Sequence, residues 1–243
     1  MKQMYKQVLL VSIPLCLGFS STKAQAPGGV SAGLQLWLPS QNYTGGTTWT
    51  DASGNARNAT KTGTITNTTL YNYNAVPTGF STSNYFRVTH NTALNPLGGA
   101  ISVFAVGLPG NIAYSPFMAK TTNSGWAAGW VLATSSPTTD VGFTTGDWNG
   151  SGGTGVAKQS GFSTTLPYLV SGFGVSGGVS ISNNGNVEAS TTCTNTLSST
   201  DLFIGFDGYG NGSFNGNIGE VIMYRATLSA SDKLRVQSYL AIK

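Results

Sequence analysis

The sequence predicts an all-β protein, a sandwich or barrel of short strands closed by one short C-terminal helix. Three observations carry this. Charged residues are only 8% of the 243, aromatics are 11%, and glycine fills 33 positions; ordinary domains carry about 25% charge and about half as much glycine. Such a chain has the apolar mass that a disordered one lacks. It has too few Glu, Lys and Arg to clothe the outer faces of a helical bundle or coiled coil. Second, short alternating or apolar runs recur between clusters of Gly, Asn, Ser, Thr and Pro, the spacing of a sandwich or barrel. Third, Asn184-Gly185 stands between Val179-Ser180-Ile181-Ser182 and Val187-Glu188-Ala189, the combination that most favours a tight hairpin.

Taken in order, residues 1–24 read as a secretory signal. Lys2 and Lys6 precede an apolar run over residues 8–19, and small polar residues follow up to a cut after Ala24. The run is shorter than the ~20 residues needed to cross a bilayer, and Leu15 before Cys16 does not suit a lipoprotein site. The expected location is therefore extracellular, periplasmic or at the cell surface, with residues 25–243 forming one domain. Without the leader, nine basic residues face eight acidic ones. No Lys/Arg stripe remains for a nucleic-acid partner, and Cys193 is left as a small buried filler. Leu34, Leu36 and Leu38 alternate onto one side of a first strand. Phe86 and Val88 oppose Arg87, and residues 101–108 form a central strand. Trp126, Trp130 and Leu132 are expected on one face. Runs at 141–144, 168–175, 179–182, 202–206 and 218–224 continue the series. From Ser229, an N-cap with Asp232 three places on, a helix over about 229–242 carries a stripe through Leu234 and Leu240.

Two segments are recognisable together. Trp49-Thr50-Asp51-Ala52-Ser53-Gly54-Asn55, continuing to Ala59-Thr60, resembles the W-x-D-x-SGN-x-x-x-AT segment of laminin-G-like domains. Gly216 to Ser229 is similar to their closing G-x-I-x-E-V-x-x-Y-x-x-x-L-S strand and helix entry, in the variant found in secreted bacterial surface proteins. The resemblance implies a concanavalin A-like fold, a two-sheet antiparallel jelly-roll sandwich with the helix at its end. Members of that superfamily bind carbohydrate or protein, and a minority hydrolyse glycosides. Relatives often place Asp where this chain has Gly219, and that Asp helps hold a structural calcium. By chemistry alone Asp51 is a turn former, its carboxylate accepting backbone amides; the alternative is a cation site with Asp51, and Glu220 of the closing strand, as calcium ligands. Glu220 has two further readings, capping a neighbouring backbone or pairing with Arg225.

Catalytic sets are missing. No two of the eight carboxylates stand two apart, the spacing that puts both on one strand face for glycoside hydrolysis. His90 is the single histidine, read as a solvated loop residue. Zinc lacks its His and Cys ligands, and no glycine-rich stretch leads into the Lys-Ser/Thr of a phosphate loop. What remains suits binding. Trp148 lies in Asp147-Trp148-Asn149, and Tyr209 in the turn from Asp207 to Asn211. An exposed aromatic between an Asp and an Asn can cover a sugar's apolar face and fix its hydroxyls, so Asp147, Trp148, Asn149, Asp207, Tyr209 and Asn211 are the candidate ligand-binding residues. The expected function is a secreted, non-catalytic module for a glycan or a cell-surface protein, in adhesion or substrate capture. The alternative is a structural domain that binds no glycan, and the third reading a glycoside hydrolase.

Overall fold

The computed structural model describes residues 26–111, 113–122, 125–135, 139–148, 155–186 and 189–242. The leader expected over residues 1–24 lies outside the described residues. In chain order the strands are β1 (Leu34–Pro39), β2 (Thr48–Trp49), β3 (Ala59–Thr62), β4 (Thr66–Tyr71), β5 (Asn74–Thr78), β6 (Tyr85–Val88), β7 (Ile101–Leu108), β8 (Pro116–Thr121), β9 (Gly129–Ser135), β10 (Asp140–Thr144), β11 (Ala157–Gln159), β12 (Tyr168–Val175), β13 (Gly178–Asn183), β14 (Ala189–Thr192), β15 (Leu202–Ile204) and β16 (Asn217–Tyr224). The helix α1 (Ala230–Ala241) follows. Pairing is antiparallel throughout. One sheet runs β14-β13-β12-β7-β16-β5-β4, with β1 also on β16; the other runs β11-β10-β9-β8-β15-β6-β3-β2. The expected two-sheet antiparallel sandwich with a C-terminal helix is what the chain forms.

Between the sheets lie side chains that alternation aims inward: Leu36 and Leu38 from β1, Phe86 and Val88 from β6, Val103 and Ala105 from β7, Trp130 and Leu132 from β9. At the predicted hairpin, Asn184 and Gly185 both take positive φ and Asn186 N–H donates to Asn183 O at 3.0 Å, the geometry that matches the twist of the flanking strands. The first sheet's outer face carries Trp37, Phe104, Phe173, Ile222 and Tyr224, covered by Val236 and Leu240 of α1. Ser229 caps the helix by accepting from Asp232 N–H at 3.2 Å and donating to the Asp232 carboxylate at 2.8 Å.

Three expectations need correction. A register shift between Leu34 and Leu36 sends Leu34 to the face under the helix, so it does not share a side with Leu36 and Leu38. The helix stripe runs through Val236 and Leu240, leaving Leu234 exposed. Trp126 precedes β9 with φ of +52° and lies on the opposite face of the sheet from Trp130 and Leu132. Among the described residues no helix covers the second sheet's outer face. Its middle is roofed by Trp126 and Trp148, which pack on Ala119, Val131 and Ala133.

Candidate functional site

The two loops that the sequence nominates separately, around Trp148 and around Asp207, meet on this outer face. Asp207 organises them. Its side chain is fully buried. One carboxylate oxygen accepts from the amides of Tyr209 and Gly210, each at 2.9 Å, and the other from Asn211 N–H and the Trp126 indole N–H, each at 3.1 Å. Local Asp-to-backbone bonds of this kind fold a turn with no help from a strand. The fourth bond reaches 81 residues back and ties the turn to Trp126.

Trp126 is the centre of the cluster. Its carbonyl accepts from Trp148 N–H at 3.1 Å. Its ring meets Trp148 edge to face at 4.9 Å and 83°, and Tyr114 at 5.9 Å and 89°, geometries that the ring quadrupoles favour. Gly142 of β10 makes room for the Trp148 indole: a Cβ there would stand 2.7 Å from the ring. Gly212 does the same for the Asp207 turn, where a Cβ would meet Tyr114 O at 2.3 Å.

Exposure separates the expected residues. Trp148 is 8% exposed, so it roofs the sheet and does not offer its ring to solvent, contrary to the expectation of an exposed aromatic. A polar turn hides a tryptophan here because a glycine on the strand beneath gives the ring a seat. Tyr209 is 41% exposed, its hydroxyl donating to Thr121 O at 3.3 Å. Asn211 is exposed and Asp147 half-buried; Asn149 lies outside the described residues. Sequence reasoning missed Tyr114, 39% exposed; Trp126 is buried, 3% exposed, as its core reading expects, but it precedes the strand instead of lying in it. Both have positive φ, 46° and 52°, a conformation uncommon for any side chain and an outlier for bulky ones.

The fold has relatives among solved structures. Domain 4 of AbnA, a GH43 extracellular arabinanase from Geobacillus stearothermophilus, in complex with arabinotriose, matches with a TM-score of 0.58 and 18% identity over 86% of this chain and 98% of that one. The binding domain of botulinum neurotoxin DC in complex with SialylT matches at 0.61 and 14% identity, over 88% of this chain and 52% of that one. A Trypanosoma rangeli sialidase matches at 0.60 and 13% identity, over 86% of this chain but 32% of that one. The chain thus spans about half of the toxin domain and a third of the sialidase. At such identities the likeness is one of fold. No family model matches the sequence, nor does any curated protein.

Among the described residues no group of three or more His, Cys, Asp or Glu could hold a metal ion. Asp51 accepts four bonds within the protein, from the amides of Trp37 at 3.0 Å, Ser53 at 2.9 Å and Arg57 at 2.9 Å, and from the Ser53 hydroxyl at 2.8 Å. A cation there would have to displace these donors. Glu220 is almost fully buried and accepts from the Trp37 indole N–H at 2.6 Å, while Arg225 donates to Asn95 O. Both acids therefore clamp the same tryptophan, one by its backbone and one by its ring. A Cβ at Gly219 would lie 3.1 Å from the Tyr71 ring. Burial, then the charge of Glu220, pushes the Tyr239 phenol well up.

His90 lies in a loop, as expected, but is half-buried and bonded rather than freely solvated. Its Nδ1 lies 2.9 Å from the Lys120 ammonium, which also donates to Ser198 O at 2.8 Å and to Thr200 O. Lys120 is fully buried, and burial, opposed by the charge of Asp201, lowers its amine to about 8. Cys193 is buried with its sulfur 3.6 Å from the hydroxyls of Thr144 and Thr145, as the filler reading expects. A cavity of about 420 Å³ opens on the far side of the sandwich, lined by Tyr71, Val106, Tyr168, Leu169, Asn184 and Leu240 among others; it contains none of the nominated residues.

Proposed function

We propose that this chain is a secreted, non-catalytic carbohydrate-binding module of a cell surface, of the laminin-G-like kind that its two signature segments resemble, and that the glycan lies against the part-exposed rings of Tyr114 and Tyr209, which the buried Trp126 and the Asp207 turn hold in place. One observation carries the reading. Tyr114 and Trp126, in contact with each other, are both held in the left-handed region. Backbone outliers of this kind cost about 1–3 kcal/mol each and collect at functional sites. The outcome here is to hold the Tyr114 ring part-exposed at an edge where Tyr209 is part-exposed too. A sugar ring offers an apolar face to such aromatics and hydroxyls to the amides and carboxylate beside them, here Asn211 and Asp147.

Two further points support it. Solved structures of this fold at low identity include one in complex with arabinotriose and one in complex with SialylT. The carboxylates of Asp51 and Asp207 are each engaged by four protein donors, whereas glycoside hydrolysis needs two that are open to the sugar.

The test is a glycan array followed by titration of the best binder. Tyr114→Ala and Tyr209→Ala are each expected to weaken binding about 30-fold, the worth of an aromatic anchor of about 2 kcal/mol, with the melting temperature little changed because both rings are part-exposed. Binding that survives both substitutions would move the site elsewhere. An array on which nothing binds would favour the purely structural reading.

A further inference from the structure

We infer that the cavity on the far side of the sandwich is a second binding site, one that takes the alkyl chain of a small amphiphile, with its hydroxyl or amide head at the two asparagines of the mouth. The site is separate from the glycan surface and does not rest on that reading. A sheet face that meets water ordinarily carries polar residues; the outer face of the first sheet is apolar where α1 lies on it. Phe104 of β7 and Phe173 of β12 pack there with Val236 and Leu240 of the helix. Two residues along β7 the same face continues with Val106, and Leu169 of β12 stands directly opposite it. Here the helix is ending, at Ala241, and the cavity of about 420 Å³ opens over this pair.

The walls are fastened. Tyr71 and Tyr168, each 9% exposed, spend their hydroxyls on Asn217 O at 3.1 Å and Gly161 O at 3.3 Å, so what they offer the cavity is ring. The Tyr71 ring lies over Gly219 of β16, which sets the recess across two strand spacings from β16 to β12, roughly 10 Å. Asn72 and Tyr73 join β4 to β5 with φ of 42° and 68°, the signs of a tight two-residue hairpin. The Asn72 amide then donates to Ile242 O at 2.7 Å and ties this turn to the end of α1. The turn after β13 is tied to β12: Asn184 Oδ1 accepts from Leu169 N–H at 2.9 Å, and Asn184 N–H donates to Leu169 O at 2.8 Å. A recess held in this way does not have to be ordered when a ligand enters.

The lining and the rim choose the occupant. Val106, Pro167, Leu169 and Leu240 are aliphatic, and the two amides of the lining, Asn72 and Asn184, are exposed and so stand at the mouth. A sugar seated inside would leave hydroxyls unpaired against carbon, which is costly. Outside the recess, Tyr73 is 94% exposed, Leu166 65% and Ile242 70%, and each is next in sequence to a lining residue. Exposed apolar surface gathered around a recess marks a binding site. A chain that fills the recess and runs on over the rim meets both surfaces, whereas a compact ring system ends where the recess does.

The experiment uses the full chain, with N-phenylnaphthylamine as the fluorescent reporter of the recess and hexanol, octanol and decanol as its competitors. Each added methylene is expected to tighten binding about four-fold, the worth of a buried CH₂, with a smaller gain once the chain reaches the rim. Ala241→Trp, at an exposed position of the lining, sets a ring in the mouth. It is expected to weaken octanol about 15-fold, two methylenes' worth, with the melting temperature little changed. A reporter that does not bind, an alkanol affinity independent of chain length, or octanol bound by Ala241→Trp as by the wild type overturns the inference. The length series needs no variant, so it decides the matter even if the substitution disturbs the fold. Self-association that Ala241→Trp abolishes, with no alkanol bound, would assign the recess to a second copy of the chain and overturn the inference as well. None of these outcomes bears on the glycan reading, whose surface lies on the other sheet.

Discussion

Asp207→Ala is expected to cost about 3 kcal/mol of stability and to abolish ligand binding together with it. The side chain is fully buried and gathers three backbone amides and an indole N–H. Bonds to a charged acceptor contribute about 1.5–3 kcal/mol each; water replaces some of them in this turn, since Tyr209, Gly210 and Asn211 are exposed, which brings the total down. The turn then loses what holds it, and Trp126 loses the anchor of its ring. Urea unfolding gives the stability, and tryptophan fluorescence reports the release of Trp126 in the native baseline. A variant that unfolds at the wild-type midpoint with unchanged fluorescence would show that the turn is held by something other than this carboxylate.

The second large effect concerns Lys120. Lys120→Ala is expected to cost about 3 kcal/mol, because the carbonyls of Ser198 and Thr200 lose a donor and the long side chain leaves a cavity. The pH dependence is the sharper signature. The folded-state amine titrates near 8 against an ordinary value of 10.5. Below pH 8 the amine is protonated in both states and adds no slope. Between pH 8 and about 10 the unfolded chain holds the proton that the folded one has lost, so stability rises with pH. Above pH 10 the buried phenols of Tyr71, Tyr224 and Tyr239, all raised by burial, reverse the trend: the folded state keeps protons that the unfolded state gives up. Urea midpoints measured from pH 7 to 11 should therefore peak near pH 10, and Lys120→Met should remove the rise. A flat profile in the wild type would contradict the placement of the amine.

The parts of the fold that sequence makes legible are those where burial on both faces dictates composition. Ile101–Leu108 and Tyr168–Val175 are strands over the lengths that their apolar runs indicate, because each is covered by a sheet within and a second layer without. Edge and near-edge strands such as Ala59–Thr62, Thr66–Tyr71 and Ala157–Gln159 were not read. Their Thr- and Asn-rich sequences satisfy one face at most, and such segments look like the turns around them. The Leu34 reversal comes from one extra residue in a ladder, which leaves the composition of the strand untouched.

For the site, the signal that nominated Trp148 and Tyr209, an aromatic inside a polar, glycine-bearing turn, also describes Tyr114 in Asn111-Ile112-Ala113-Tyr114-Ser115 after Pro109-Gly110, and Trp126 after Asn123-Ser124-Gly125. Applied evenly, it would have found both. Sequence could not say which of these rings folds down. That depends on the strand beneath: Gly142 admits Trp148, while Phe203 and its neighbours Tyr85 and Phe206 already fill the sheet beside the Tyr209 turn.

The central claim is a place, the surface around Trp126, and chemical-shift mapping with the array's best-binding glycan tests it directly. The account predicts that the indole N–H of Trp126, bonded to Asp207, and the amides of Tyr209, Gly210 and Asn211 shift together as glycan is added. Shifts confined to Tyr71, Leu169, Asn184 and Leu240 around the cavity on the far side of the sandwich would contradict it.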